Sequence, residues 1–389
     1  MTSITRVPWH RPMSGRDPHE EHRTSTPLEL LFDLAFVVAV AAAAAGLHHA
    51  VAEGHLVSGL TGYLTVFFAI WWVWVNYSWF ASAYDTGDVI FRLTTFLVIT
   101  GVLVLAAGVP RASGEEHGFG VLVLGYVIMR AAMVPLWLRV AREHPEAGAT
   151  ALRYATGVTV VQVVWVLRTV FLGHGALGWV LFGVLVVAEL ATPYWAESTG
   201  RTPWHRHHIA ERYELFTIIV LGEVILASSD AISSSLQGYG LDTQLGLLIL
   251  GALLLVFAMW WAYFKVPLID SLSERTAFAF GYGHYFVLAS VAAVGGCLAA
   301  LVEVVEDVAH VEPRTALLSL AASVGVYLAA LSTIHGLGDG RPMAAVPAMV
   351  TVVVVVAIAL GGLPVGVSIL LMALTVAGGL LGVTLRSRP

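Results

Sequence analysis

The sequence has little charge for its length. Only 12% of its 389 residues are charged, against roughly a quarter in an average soluble protein. Such a chain cannot cover the surface of soluble domains, and its 58% hydrophobic residues and mean hydropathy of +0.82 predict one membrane body with short loops. The single cysteine, Cys297, excludes an intrachain disulfide and a thiolate metal site. A net charge of −6 without a basic stripe excludes nucleic acid as a partner.

Long apolar runs fill most of the chain. A helix of about 20 apolar residues crosses a bilayer, and twelve segments fit this description. The runs are continuous rather than alternating, so they predict an all-α polytopic membrane protein and not a β-barrel. The last two segments lie so close together that they could also form one broken re-entrant pair. The predicted spans are residues 28–48, 57–81, 89–109, 118–138, 150–172, 176–196, 210–234, 241–264, 277–302, 315–335, 344–362 and 364–385.

The two ends of the chain are polar. Residues 1–27 lack the apolar core of a cleavable signal, and we expect them to form a mostly disordered cytoplasmic tail. Residues 386–389 form the predicted cytoplasmic carboxyl terminus. With the amino terminus inside, fifteen lysines and arginines fall on the cytoplasmic side and two on the opposite side. This bias predicts a plasma-membrane protein with both termini in the cytoplasm.

Short stretches of the sequence recur at a nearly constant offset. Residues 68–72 (FAIWW) resemble residues 257–261 (FAMWW) at an offset of 189, and Glu29-Leu30 resembles Glu214-Leu215 at an offset of 185. We therefore expect residues 28–196 and 197–385 to form two six-helix repeats. Because six is even, the repeats share one orientation, as in parallel-repeat transporters.

Two carboxylates lie on one face of the first span. A charged residue at mid-membrane costs about 2.5–3.5 kcal/mol and usually faces a partner or a water-filled path. Glu29 and Asp33 are four residues apart, so they share a helix face and predict a cation or proton site. An alternative for Glu29 is a capping box with Thr26, in which Pro27 occupies the first helical position.

Other charges within the spans need partners. Arg92 has two candidates, Asp88 one turn earlier and Asp33 at a similar depth. Arg130 and Glu223 both lie near the middle of their spans, so we expect them to form an ion pair. That pair either lines a path or is purely structural.

A histidine-rich stretch precedes the seventh span. His208 and Glu211 are three residues apart on one helix face, an arrangement that can hold a divalent metal. No third ligand appears at a fixed spacing, so we predict no metal, and a lipid-headgroup interface is the alternative. The sequence also lacks a P-loop and the motifs of zinc and serine hydrolases. We therefore predict no cofactor.

Two motifs resemble a known family. They are residues 27–38 (PLELLFDLAFVV) and residues 208–223 (HIAERYELFTIIVLGE). Together they resemble the bacterial low temperature requirement protein A (LtrA) family, whose length and span number fit the whole chain. The resemblance implies a bacterial multi-pass membrane protein linked by name to growth in the cold. It marks as polar motif positions Glu29, Asp33, His208, Glu211, Arg212 and Glu223.

These patterns favour a transporter or channel for a small solute or ion. Asp33, Arg130 and Glu223 would line or gate the path, and Arg92 would neutralise Asp33. The alternative is an intramembrane enzyme acting on a lipid or isoprenoid at the His208/Glu211 cluster. The sequence leaves enzymatic activity undecided, with the non-enzymatic alternative favoured. It predicts the lipid bilayer as a partner and leaves a homo-oligomer open.

Overall fold

Helices form all the regular structure in the part of the chain that the structure describes. The computed structural model describes residues 7–21, 23–113, 118–172, 175–238, 240, 242–339 and 345–386. Within these residues there are thirteen α-helices and no β-strand. The helices are α1 (Pro27–Ala52), α2 (Leu56–Tyr84), α3 (Val89–Ser113), α4 (Gly120–Glu143), α5 (Gly148–Phe171), α6 (Ala176–Glu197), α7 (Arg206–Gly238), α8 (Thr243–Phe264), α9 (Leu268–Ser271), α10 (Ala277–Val305), α11 (Pro313–Asp339), α12 (Ala345–Leu360) and α13 (Val365–Arg386).

Eleven of the described helices are long and apolar enough to cross a membrane. Lipid offers no hydrogen-bond partners, so a helix, which satisfies its own backbone, is the form that isolated apolar runs adopt. The remaining predicted span is α12, which is apolar but has only 16 residues. Residues 340–344, just before it, lie outside the described part. The predicted all-α polytopic fold is thus confirmed, with eleven helices of full spanning length and one shorter apolar helix.

The last two predicted spans form two helices joined by a short turn, and the alternative of a broken re-entrant pair stays a prediction. α12 ends at Leu360 and α13 begins at Val365. Between them the backbone turns through Gly362, whose φ of 70° lies in the left-handed region that glycine adopts without strain. Pro364 follows and accepts a hydrogen bond from the backbone of Ser368, which starts the next helix.

The chain forms two compact units, and each is built from two separate stretches of the sequence. Unit 1 contains residues 7–39 and 69–212 of the described part, and unit 2 contains residues 40–68 and 213–386. Helices α1, α2 and α7 each contribute one end to each unit. These units do not coincide with the repeats expected at residues 28–196 and 197–385, which stay a prediction.

Helices α3 to α6 pack in sequence order within unit 1. Gly125 of α4 lies so close to α3 that a Cβ there would overlap the backbone nitrogen of Leu105. On the other side of α4, Trp137 stacks on Tyr154 of α5, with ring centroids 4.1 Å apart and planes at 4°. These contacts fix how α4 is aligned with its two neighbours.

In unit 2, helix α10 is almost entirely buried. Its glycines allow close packing: Gly296 lies against the backbone of Ala44 in α1, and Gly295 lies against Val224 in α7. Tyr63 of α2 donates a hydrogen bond to the carbonyl oxygen of Ala289 at 2.5 Å. α10 is therefore the central helix of this unit.

The described residues before α1 cross the helix ends of unit 1 and make specific contacts. The backbone of Met13 donates to Glu143 at 2.6 Å, and the Met13 side chain is fully buried. The backbone of Arg16 donates to the carbonyl of Ala83 at 2.9 Å. We call residues 7–26 the amino-terminal strap. We expected residues 1–27 to be mostly disordered, whereas the described residues among them make these specific contacts. Residues 1–6 and 22 lie outside the described part.

Candidate functional site

The start of α1 positions the first carboxylate of the candidate site. The Thr26 backbone nitrogen and hydroxyl donate to Glu29 Oε2 at 2.8 and 2.9 Å, and the Glu29 nitrogen donates to the Thr26 hydroxyl at 3.3 Å. This reciprocal arrangement is the predicted capping box, with Pro27 at the first helical position. The cap uses only one carboxylate oxygen of Glu29, and the side chain is completely buried. The other oxygen, Oε1, points to a second partner.

That partner is His208, which lies near the start of α7. Its Nε2 atom is 3.0 Å from Glu29 Oε1, close enough for an ion pair, although the geometry is poor for a hydrogen bond. Both side chains are fully excluded from solvent. The predicted capping box is confirmed, and the cation or proton site at Glu29 stays a prediction.

One turn further along the same two helices lies a second pair. Asp33 Oδ1 accepts a hydrogen bond from Arg212 Nη2 at 2.6 Å and another from the indole nitrogen of Trp74 at 2.7 Å. Arg212 also lies 3.3 Å from the hydroxyl of Ser78. The expected pairing of Asp33 with Arg92 is wrong, because Arg212 from α7 takes that position.

The helical repeat explains why these four residues meet. Glu29 and Asp33 are four apart on α1, and His208 and Arg212 are four apart on α7, so each pair shares one helix face. The contacts of Glu29 with His208 and of Asp33 with Arg212 then follow from two helix ends that run parallel. We call these four residues the α1/α7 cluster.

The strap adds a third positive group to the cluster. Arg23 is buried, donates to the carbonyl of Ala81 at 3.1 Å and lies 3.9 Å from Glu29 Oε1. Burial lowers the pKa of Arg23, and the charge of Glu29 offsets part of that effect. Asp85, in the connection after α2, is affected in turn: burial and the Glu29 charge both raise the pKa of Asp85.

Several polar atoms of the cluster have no hydrogen-bond partner within the described residues. They are one oxygen of Asp33 (Oδ2), both ring nitrogens of His208, Glu29 Oε1, and Arg212 Nε and Nη1. Buried polar groups in proteins are satisfied in the large majority of cases. The α1/α7 cluster therefore retains capacity to accept and donate hydrogen bonds.

His208 and Glu211 contact different partners, although the sequence places them on one helix face. His208 faces Glu29, whereas Glu211 Oε2 accepts a hydrogen bond from the backbone of Ser25 at 3.1 Å. In the part of the chain that the structure describes, no group of three or more potential ligands is arranged to hold a metal ion.

A second buried ion pair of unit 1 joins α4 to α6. Arg130 Nη2 on α4 donates to Glu189 Oε2 on α6 at 2.7 Å, and to the hydroxyl of Tyr126 at 2.6 Å. Glu189 also accepts from the indole nitrogen of Trp72 and from Tyr126, both at 2.8 Å. Within unit 1 the partner of Arg130 is therefore Glu189. Glu223 belongs to unit 2, and its expected pairing with Arg130 stays a prediction.

The other predicted path residues lie elsewhere. Arg92 is exposed, and its Nε donates to the carbonyl of Gly87 at 3.2 Å. It does not pair with Asp88, which binds Arg139 at 2.5 Å. Glu223 belongs to unit 2, where it is half-buried and has no hydrogen-bond or ion-pair partner among that unit's described residues.

The comparison with known families agrees with these motifs. The family model described as "Bacterial low temperature requirement A protein (LtrA)" matches residues 24–384. The chain belongs to the LtrA family. The match includes every member of the α1/α7 cluster, and it confirms the resemblance that the two motifs carry.

A relative extends the LtrA comparison without adding an activity. Over 285 residues the chain is 29% identical to an uncharacterized protein of Rhizobium meliloti (strain 1021). The alignment covers 68% of this chain and 66% of that protein, which is just under two thirds of its length. No solved structure matches the chain significantly.

Sequence reasoning missed several residues of the two buried pairs. Trp72 entered the sequence analysis only as part of a repeated stretch, and Trp74 did not enter it, yet each donates its indole N–H to a buried carboxylate. A signal was available, because a buried tryptophan usually finds a partner for that N–H. Tyr126, one turn before Arg130, and Glu189 near the end of α6 carried no comparable signal.

Proposed function

We propose that this LtrA-family protein is a transporter or channel for a small ion, and that the α1/α7 cluster is the site the ion meets. The observation that carries the proposal is the complete burial of four ionisable side chains, Glu29, Asp33, His208 and Arg212, inside apolar helices. Such groups are costly in a membrane and are typical of ion paths and proton relays.

The contacts favour the proton as the ion to test first. Glu29 and His208 are within 3.0 Å, so a proton held by one has a direct acceptor in the other. Asp33 keeps Oδ2 unpartnered and therefore available for protonation. In this mechanism Arg212 holds Asp33 in place through Oδ1 and balances its charge while the proton is absent.

The strap gives the proposed site a cover on one side. Arg23 reaches Glu29 from the strap, and Ser25 binds Glu211, one turn from His208. We propose that access from that side requires these contacts to open. With the positive-inside bias, that side is the cytoplasm, so both termini are proposed to be cytoplasmic.

Other parts of the sequence-based interpretation stay predictions. Path roles for Arg92, Arg130 and Glu223, a homo-oligomer and a link to growth at low temperature are hypotheses that the α1/α7 cluster does not require. The enzyme alternative also stays a prediction, although its two residues, His208 and Glu211, engage different partners.

The experiment is proton flux in vesicles that contain the purified protein and an internal pH-sensitive dye. Glu29→Gln and Asp33→Asn each remove one charge, and glutamine still supports a capping box, so α1 keeps its start. We expect the wild type to dissipate a pH gradient under an imposed potential and both variants to fall to the rate of empty vesicles.

The matched control is Glu53→Gln, the same chemical change in an exposed pair with His310. This control should retain full flux. Wild-type rates in both Glu29→Gln and Asp33→Asn, with equal insertion, would contradict the proposed site. A wild type that moves neither protons nor alkali cations under any gradient would contradict the proposed function.

A further inference from the structure

Three buried side chains of unit 1 have polar atoms that no described residue satisfies. Arg130 on α4 is 1% exposed, and Gln162 and Trp165 on α5 are 8% and 9% exposed. The unpartnered atoms are Arg130 Nε and Nη1, both polar atoms of the Gln162 amide, and the indole nitrogen of Trp165. These five atoms lie apart from the α1/α7 cluster and have no role in the proposed function.

The alignment of α4 and α5 places Arg130 and Gln162 at the same level. Trp137 of α4 stacks on Tyr154 of α5, which fixes the register of these antiparallel neighbours. Arg130 is seven residues before Trp137, and Gln162 is eight residues after Tyr154. At about 1.5 Å per residue, both lie two turns from the stacked rings in the same direction.

The alignment of α5 and α6 brings the ion pair to that level. Gly157 of α5 lies against Thr192 of α6, and Glu189 is about one turn from Thr192 toward Gln162. On the far side, Trp165 contacts Phe182 of α6 with ring centroids 5.1 Å apart. Gln162 therefore lies close to the level of the Arg130–Glu189 pair, on the side toward the Trp165–Phe182 contact.

The chemistry of the free atoms indicates the ligand. Arg130 and Trp165 contribute N–H donors, whereas the Gln162 amide contributes both donors and an acceptor. The charge of Arg130 is already balanced by Glu189 at 2.7 Å. An added anion would leave a buried charge without compensation, so an uncharged ligand is favoured. A primary amide complements this set, since its carbonyl accepts from Arg130 or Trp165 while its N–H donates to Gln162.

We propose that α4, α5 and α6 of unit 1 form a binding site for a small uncharged amide- or urea-type solute, lined by Arg130, Gln162 and Trp165. The proposal stands on unsatisfied buried atoms and helix register, and it does not depend on ion transport through the α1/α7 cluster. It is tested by binding to protein in detergent, without any flux measurement.

The experiment compares acetamide with acetate, which has nearly the same shape but carries a charge. A ligand this small binds weakly, so saturation-transfer NMR on the purified full-length protein is suitable. We expect a saturable signal for acetamide and a much weaker one for acetate at pH 7. Gln162→Leu and Trp165→Phe should each reduce the acetamide signal strongly.

Matched controls make the same chemical changes at exposed positions. Gln237→Leu alters an exposed glutamine of α7, and Trp195→Phe alters a more exposed tryptophan of α6. Both should bind acetamide as the wild type does. Gln162→Leu also removes an unsatisfied buried amide, so it should raise the melting temperature of the ligand-free protein. Trp165→Phe keeps the test decisive if Gln162→Leu does not fold.

Three results would overturn the proposal. The first is no acetamide signal in the wild type. The second is an unchanged signal in folded Gln162→Leu or Trp165→Phe. The third is acetate binding as well as or better than acetamide, which would mean that the site takes an anion.

Discussion

Two of the buried arginine–carboxylate pairs in the described part of unit 1, Arg130–Glu189 and Arg212–Asp33, both contact helix α2 but differ in how completely their carboxylates are hydrogen-bonded. Trp72 and Trp74 are two residues apart on α2 and so point to nearly opposite sides. Trp72 donates to Glu189, the partner of Arg130, and Trp74 donates to Asp33, the partner of Arg212. The same device, an indole N–H on a carboxylate, thus supports both pairs.

The difference lies in the carboxylates. Both oxygens of Glu189 accept hydrogen bonds, from Tyr126, Trp72 and Arg130. Asp33 uses one oxygen for both of its donors and leaves the other without a partner. A fully bonded carboxylate holds helices together, whereas an incompletely bonded one beside a second carboxylate and a histidine is suited to exchange a proton. We therefore propose that Glu189 stabilises the fold and that Asp33 takes part in transport.

The largest expected effect concerns the contribution of Glu189 to stability. Glu189→Gln leaves the Arg130 charge buried without a counter-ion, and breaking such a pair costs about 3–5 kcal/mol. Asp33→Asn should lower the melting temperature much less, because Glu29 remains close enough to interact electrostatically with Arg212. Thermal unfolding of the detergent-purified variants measures both. Equal losses in the two variants would remove the distinction between the pairs.

The second prediction concerns both members of the Arg130–Glu189 pair. Replacing a buried ion pair by apolar residues of similar volume is often neutral or stabilising. The double variant Arg130→Met/Glu189→Leu should therefore recover most of the stability that Glu189→Gln loses, although Tyr126 and Trp72 lose their acceptor. The same melting experiment provides the check. A double variant less stable than Glu189→Gln would show that the pair does more than neutralise itself.

The third prediction uses Asp88, an ion-paired carboxylate just before α3. Burial alone would raise the pKa of Asp88, but the hydrogen bond and charge of Arg139 and two backbone N–H groups lower it from 3.8 to about 2. Because the pKa of Asp88 is lower in the folded protein, the ionised side chain stabilises the folded state at pH values above its pKa in the unfolded chain. That stabilisation is lost as the pH falls through about 2. Asp88→Asn should therefore cost about 2 kcal/mol at neutral pH.

The corresponding measurement is the melting temperature of wild type and Asp88→Asn as a function of pH. The difference in melting temperature between the two proteins should be constant above about pH 5 and should become smaller from about pH 4 downward. A gap that stays unchanged down to pH 2 would mean that Asp88 is not the ionised partner of Arg139.

The smallest effect is expected for the exposed pair of unit 2. His310 and Glu53 are 2.7 Å apart, but their side chains are 74% and 54% exposed. Exposed pairs contribute about 0–1 kcal/mol. Glu53→Gln should leave the melting temperature unchanged within error, which makes it the baseline for the buried pairs. A loss comparable to that of Asp88→Asn would indicate an interaction that this pair geometry does not account for.

Hydropathy predicted the spans well because lipid leaves an apolar run few alternatives to a helix. The first predicted span, residues 28–48, lies within α1, and the second, residues 57–81, lies within α2. The capping box of Thr26 and Glu29 was also predictable, since it depends only on local spacing. The weakest expectation was the last pair of spans, where the segment before α12 lies outside the described residues.

Ion-pair partners were less predictable, because depth in a span does not give the direction in which a side chain points. For Arg130 the sequence indicated only Glu223, whereas the rotation and alignment of α4 and α6 place Glu189 against it. Asp33 likewise binds Arg212, which is distant in sequence, and not Arg92. The family motifs were more informative, since four of their polar positions form the α1/α7 cluster.

We propose that the Asp33–Arg212 pair, whose carboxylate is incompletely hydrogen-bonded, takes part in transport, and that the Arg130–Glu189 pair, whose carboxylate is fully hydrogen-bonded, stabilises the fold. The most direct measurement is proton flux per inserted molecule in vesicles for Asp33→Asn and for the double variant Arg130→Met/Glu189→Leu, prepared side by side. We predict that Asp33→Asn inserts normally but shows only the background rate, while the double variant keeps most of the wild-type flux. Normal flux in Asp33→Asn, together with loss of flux in a stable double variant, would contradict this proposal and assign transport to the Arg130–Glu189 pair.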